Sequence, residues 1–76
     1  MLVLGKYRYT IKTKMEFNVP TLNSSEDSKN IKETIITSEP NANVSIDLDS
    51  KKVTVEGEAS AETFKQLIVA SGHQVN

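Results

Sequence analysis

The stretch from Val44 to Gly57, VSIDLDSKKVTVEG, decides the fold. Val44, Ile46 and Leu48 alternate with Ser45, Asp47 and Asp49, and Val53 and Val55 alternate with Thr54 and Glu56. Successive side chains of a strand point to opposite faces, so period-two alternation marks a strand with one buried face. Asp49-Ser50-Lys51 lies between the two runs and reads as a tight turn. The two runs therefore form a hairpin, and Gly57 ends it.

Upstream of the hairpin, residues 39–43 (EPNAN) have loop composition. Before them Ile31, Thr34, Ile35 and Ser38 fall at helical spacing, with Lys29, Lys32 and Glu33 turned away. Ser24 and Asp27 fit the S-x-x-D/E capping box that starts a helix. The polar loop TLNSSEDS, residues 21–28, leads into it. Further upstream Tyr7, Tyr9, Ile11, Thr13, Met15, Phe17 and Val19 alternate with polar residues until Pro20, which cannot donate to a ladder. Downstream, Ser60 is an N-cap candidate, Phe64, Leu67, Ile68 and Ser71 share a helix face, and Gly72 is placed as C-cap. His73 to Asn76 leave room for a short last strand. The predicted order is strand, helix, strand, strand, helix, strand. That order is the α+β, ferredoxin-like βαββαβ sandwich, a four-stranded antiparallel sheet with two helices on one face.

The chain has 76 residues, enough for one small domain. Its hydrophobic share of 37% and charged share of 25% are ordinary for a globular protein. No apolar run is long enough to span a membrane. MLVLG, residues 1–5, lacks the apolar length and cleavage site of a secretory signal, so a cytoplasmic protein without membrane insertion is expected. The absence of cysteine excludes disulfides, thiolate metal sites and cysteine nucleophiles. Charge is unevenly spread. Residues 1–14 hold Lys6, Arg8, Lys12 and Lys14 and no acid, giving +4; residues 15–76 hold five lysines and ten acids, giving −5.

Three segments resemble the heavy-metal-associated domain, the fold of small copper chaperones and of metal-binding modules of metal-transporting ATPases. MEFNVP, from Met15, is similar to that family's first strand. DLDSKKVTVEG, from Asp47, is similar to its second hairpin, and EASAETFKQLIVASGHQV, from Glu58, to its second helix and final strand. The resemblance divides the chain into a basic extension, 1–14, and a domain, 15–76. The extension is either a prolonged first strand or the product of an upstream start. The family's metal loop reads Gly-Met-x-Cys-x-x-Cys. Anchored on Ile31, the likeness puts Ser24 and Asp27 at the two cysteine positions and Leu22 at the methionine. Copper(I) favours soft thiolates and thioethers. Serine stays un-ionised at neutral pH and aspartate is a hard donor, so copper(I) is not expected here.

Several readings of this loop stay open. Ser24 and Asp27 cap the helix. Alternatively Asp27, with Glu26 and His73, makes a weak site for zinc, which accepts carboxylate and imidazole. In the third reading the loop serves a protein partner, with Leu22, Asn23, Glu26, Lys29 and Asn30 as contacts. The resemblance implies a protein-docking or regulatory module of the metal-transport type, with a metal-transport protein as partner and no resident cofactor. The basic leader with Tyr7 and Tyr9 could contact single-stranded nucleic acid, although the acidic body argues against it. No enzyme is expected, because nothing beside Ser24, Ser25, Asp27 and His73 supplies an oriented base or an oxyanion hole.

Overall fold

The computed structural model describes residues 12–76. Tyr7, Tyr9, Lys6 and Arg8 of the leader lie outside the described residues, and so does the first half of the long alternation. The elements are β1 (Thr13–Asn18), α1 (Ser25–Ser38), β2 (Asn43–Asp47), β3 (Lys52–Gly57) and α2 (Ala61–Ala70). The sheet order is β1-β3-β2 and both pairings are antiparallel.

The register explains the alternation. Val53 lies between Phe17 and Ile46, and Val55 lies between Met15 and Val44. These two cross-strand rows form the floor of the core. Ile31 and Ile35 of α1 and Phe64 and Ile68 of α2 close it, all four fully buried. Val19, Leu22, Phe17 and Ala42 complete the cluster, with Ile36, Leu48, Leu67 and Val75 packed around it. No polar or charged residue among those described is buried. Among the described residues the opposite sheet face is polar and uncovered. Lys14 sits across from Glu56, and Glu16 across from Thr54, beside Asn43 and Ser45. No helix among the described residues is long and apolar enough to cross a membrane.

Two boundaries differ from the sequence expectation. The expected fourth strand is not formed among the described residues, and the sheet there has three strands. Residues 73–76 leave α2 and run beside the end of β1, but only Asn76 N–H reaches a strand carbonyl, that of Asn18, at 2.9 Å. The segment is too short for more, because its first residues are committed to the end of α2 and to the loop before α1. In addition, β2 ends at Asp47, and Leu48 belongs to the turn. Asp47 Oδ1 accepts from the backbone N–H groups of Asp49 (3.0 Å) and Ser50 (3.4 Å), so the chain turns one residue earlier than the alternation implies. Leu48 still packs on the core from that turn.

Gly57 is required for space. A Cβ built there would lie 2.7 Å from Phe64 Cζ and 3.4 Å from Ala42 Cβ. The Phe64 ring is fully buried. Gly57→Ala is therefore expected to lower stability by about 1–3 kcal/mol through overpacking, read as a lower urea midpoint with an unchanged slope. An unchanged midpoint would show that the ring is free to shift.

Candidate functional site

The loop from Val19 to Ser24 is fixed at both ends by apolar burial. Val19 and Leu22 are fully buried, three positions apart. A turn between them, closed by Leu22 N–H to the Val19 carbonyl at 3.0 Å, lets both reach one core and leaves Pro20 and Thr21 outside. Lys51 holds this turn from the hairpin side. Its carbonyl accepts from Val19 N–H at 2.8 Å, and its ammonium donates to the Leu22 carbonyl. Lys51 adopts φ 57°, a left-handed conformation that L-residues adopt at a cost, and there its backbone and side chain both face the loop.

Ser24 then caps α1, as its spacing to Asp27 predicts. Ser24 Oγ accepts from Asp27 N–H at 3.3 Å, and Asp27 Oδ2 accepts from Ser24 N–H at 3.3 Å. Asn23 N–H also donates to Asp27 Oδ2, at 3.0 Å. One carboxylate oxygen thus takes two backbone donors at the positive end of a helix, where its charge is favoured.

The end of α2 brings the histidine in. Gly72 N–H bonds the Val69 carbonyl at 2.9 Å and His73 N–H bonds the Ile68 carbonyl at 3.4 Å. This pair of bonds is a Schellman motif with Ser71 as C-cap and Gly72, at φ 98°, in the following position. The reversal aims His73 back at the loop. His73 Nδ1 lies 2.8 Å from Thr21 Oγ1, which also accepts from Gln74 N–H at 3.1 Å. Either atom can be the donor in the Thr21–His73 contact, because the hydroxyl keeps a second lone pair and the imidazole has two tautomers. Nε2 faces Asp27 Oδ1 at 3.7 Å. The imidazole side chain is only 9% exposed, against 27% for the Asp27 side chain. Thr21, His73 and Asp27 form one chain of polar contacts.

The predicted residues divide clearly. Ser24, Asp27 and His73 come together. Asn23, Glu26, Lys29 and Asn30 are exposed around the start of α1. Leu22 is not available to a partner: it is fully buried, because the apolar side chain at that position plugs the core beneath the loop. Thr21, Lys51 and Gln74 were not identified from sequence, since their partners lie far away in the chain and no local pattern marks them. Glu26 does not join the Asp27–His73 pair, and among the described residues no group of three or more His, Cys, Asp or Glu is arranged to hold a metal ion. Lys12 and Lys14 are the described members of the basic leader. Lys12 donates to the Asn41 carbonyl at 3.1 Å, and Lys14 lies on the open sheet face.

The chain is similar in structure to the copper chaperone Atx1 from Synechocystis, with a TM-score of 0.79 and 27% identity over 82% of this chain and 98% of the other. It is similar to a gold-binding protein, with a TM-score of 0.75 and 26% identity over 82% and 98%. CopP from Helicobacter pylori, in its apo form, matches at a TM-score of 0.72 and 19% identity over 84% and 100%, a likeness of fold alone. No family model matches the chain, and no curated protein sequence does. The chain has the heavy-metal-associated fold of these copper chaperones.

Removal of the Ser24 hydroxyl in Ser24→Ala is expected to lower stability by about 0.5–2 kcal/mol. Asp27→Ala should lower it further, because two backbone N–H groups lose their acceptor and His73 loses its neighbour. Urea unfolding of the two variants measures this order, and equal losses would mean that the Asn23 bond and the His73 contact add nothing beyond the reciprocal cap.

Proposed function

We propose that this chain is a metal-transport-type heavy-metal-associated domain without a thiolate site, acting as a protein-docking module through Asn23, Glu26, Lys29 and Asn30. The observation that carries the reading is the state of Asp27. Its Oδ2 is occupied by the backbone N–H groups of Asn23 and Ser24, and its Oδ1 faces His73. What the family uses as a cargo loop is here a closed polar cap. Soft donors are lacking in the loop as well: the chain has no cysteine, and neither of its methionines, Met1 and Met15, falls in residues 21–28. Met15 is a partly buried residue packed against the core. The docking surface is exposed, and the acidic body, −5 over residues 15–76, suits a basic surface on a metal-transport protein.

A second reading has its own observation. His73 Nε2 and Asp27 Oδ1 are 3.7 Å apart, and both are donors that zinc accepts. With two protein donors and water completing the shell, the site would bind zinc weakly.

NMR titration of the labelled chain separates the readings. Neither copper(I), under reducing conditions, nor zinc is expected to give saturable shifts. Saturable zinc shifts confined to Asn23–Ser28 and His73 would replace the first reading with the second. The combined substitutions Ser24→Cys and Asp27→Cys should create copper(I) binding, because they return thiolates to the loop. Added as a titrant, the soluble domain of a metal-transporting ATPase should shift Asn23, Glu26, Lys29 and Asn30. If Glu26→Lys leaves that affinity within about twofold, which is about 0.4 kcal/mol, the docking surface is misassigned.

A further inference from the structure

The sheet edge that no described residue covers carries a second surface. β3 is paired on both sides, but β2 has β3 as its only partner among the described residues. Beyond that ladder, no backbone group of Asn43–Asp47 bonds to other described backbone. A sheet edge with unpaired N–H and C=O groups is a template for another strand. Of the usual protections the strand has only its shortness and a terminal charge, Asp47. It contains no proline, and its helix-side residues are Val44 and Ile46, both half-buried.

A groove of about 390 Å³ runs between this edge and α1, lined by Ser28, Lys29, Lys32, Val44 and Ile46. Its floor is apolar and its α1 wall carries two exposed lysines, neither in an ion pair with a described residue. We propose that the β2 edge binds an extended segment of a partner protein, which adds as a strand and presents apolar and acidic side chains to the groove. The main chain would supply hydrogen bonds, Val44 and Ile46 would receive the apolar residues, and Lys29 and Lys32 the carboxylates. Charge decides against a second copy of this chain as occupant. Two β2 edges brought together would crowd four lysines over one groove, and like charges placed so closely repel. The inference does not depend on the loop surface proposed above; only Lys29 is common to both.

The test uses the full labelled chain and two synthetic peptides, acetylated and amidated: TVTETVTE, and TVTKTVTK as its basic counterpart. The acidic peptide is expected to shift the backbone amides of Asn43–Asp47 and the signals of Lys29 and Lys32 saturably, at least tenfold more tightly than the basic one. Lys32→Glu, which leaves one lysine and one carboxylate on the groove wall, should abolish that preference and, being an exposed change, preserve the spectrum of the folded protein. Glu26→Lys, at the loop surface, should leave peptide binding unchanged, so failure of either surface is distinguishable from failure of the other. Equal response to the two peptides, or no saturable shift at Asn43–Asp47, would overturn the proposal. Concentration-dependent shifts of β2 without peptide would overturn it in favour of self-association.

Discussion

Val19 and Leu22 must both reach the core, and most of the candidate site derives from that requirement. Residues three apart in an extended chain lie on opposite faces, so burying both demands a turn between them. The turn closes through Leu22 N–H and the Val19 carbonyl, and it holds Thr21 out at the surface. Leu22 also sets the phase of the residues after it. Two positions later the chain reaches Ser24 in extended geometry, with φ −144° and ψ 167°, as an N-cap must be. The hydroxyl of Thr21 and the carboxylate of Asp27 then face the same side, where His73 arrives from the end of α2. Packing energy fixes the loop; the polar contacts are arranged on a backbone that burial has already placed.

Under the reading proposed above, the same constraint would let the family's cysteine loop become a cap without loss of fold. The start of a helix offers backbone N–H groups to whatever stands at the first and fourth positions of the S-x-x-D pattern. Thiolates there would leave some of those donors to water and turn toward a soft cation. A hydroxyl and a carboxylate turn inward, because they accept hydrogen bonds from the backbone more strongly than sulfur does. Such an exchange would favour stability of the helix end over openness of the loop. His73 fits the inward arrangement, since its Nδ1 is held by Thr21 and its Nε2 is aimed at Asp27.

What could be read from sequence was what depends on near neighbours. The hairpin, the capping box of Ser24 and Asp27 and the turn at Gly72 are all set within a few residues, and each stands where its pattern put it. The end of β2 was displaced by one residue because alternation records side-chain facing, whereas Asp47 ends the strand through its own side chain. The burial of Leu22 was hidden for a related reason: a single apolar residue in a polar loop has no period to reveal its direction. Thr21–His73 and Lys51–Leu22 span 52 and 29 residues, and only the assembled fold brings them together. The last strand was inferred from element order, but order does not fix length, and the four residues after Gly72 first complete the Schellman motif and the contact with Thr21.

Helix α1 therefore has two different outer surfaces. Its first turn is acidic and closed around Asp27, while its flank over β2 carries Lys29 and Lys32 above Val44 and Ile46. An overall charge near neutral hides this division, because a partner meets local fields within about one Debye length, roughly 8–10 Å, and not the sum. A basic surface would be steered to the loop end, and an acidic extended segment to the sheet edge. Lys29 stands where the two meet. Its charge opposes the first partner and favours the second, so an acidic segment bound at the edge would neutralise the charge that repels the loop's partner, and the two occupants would favour each other without touching.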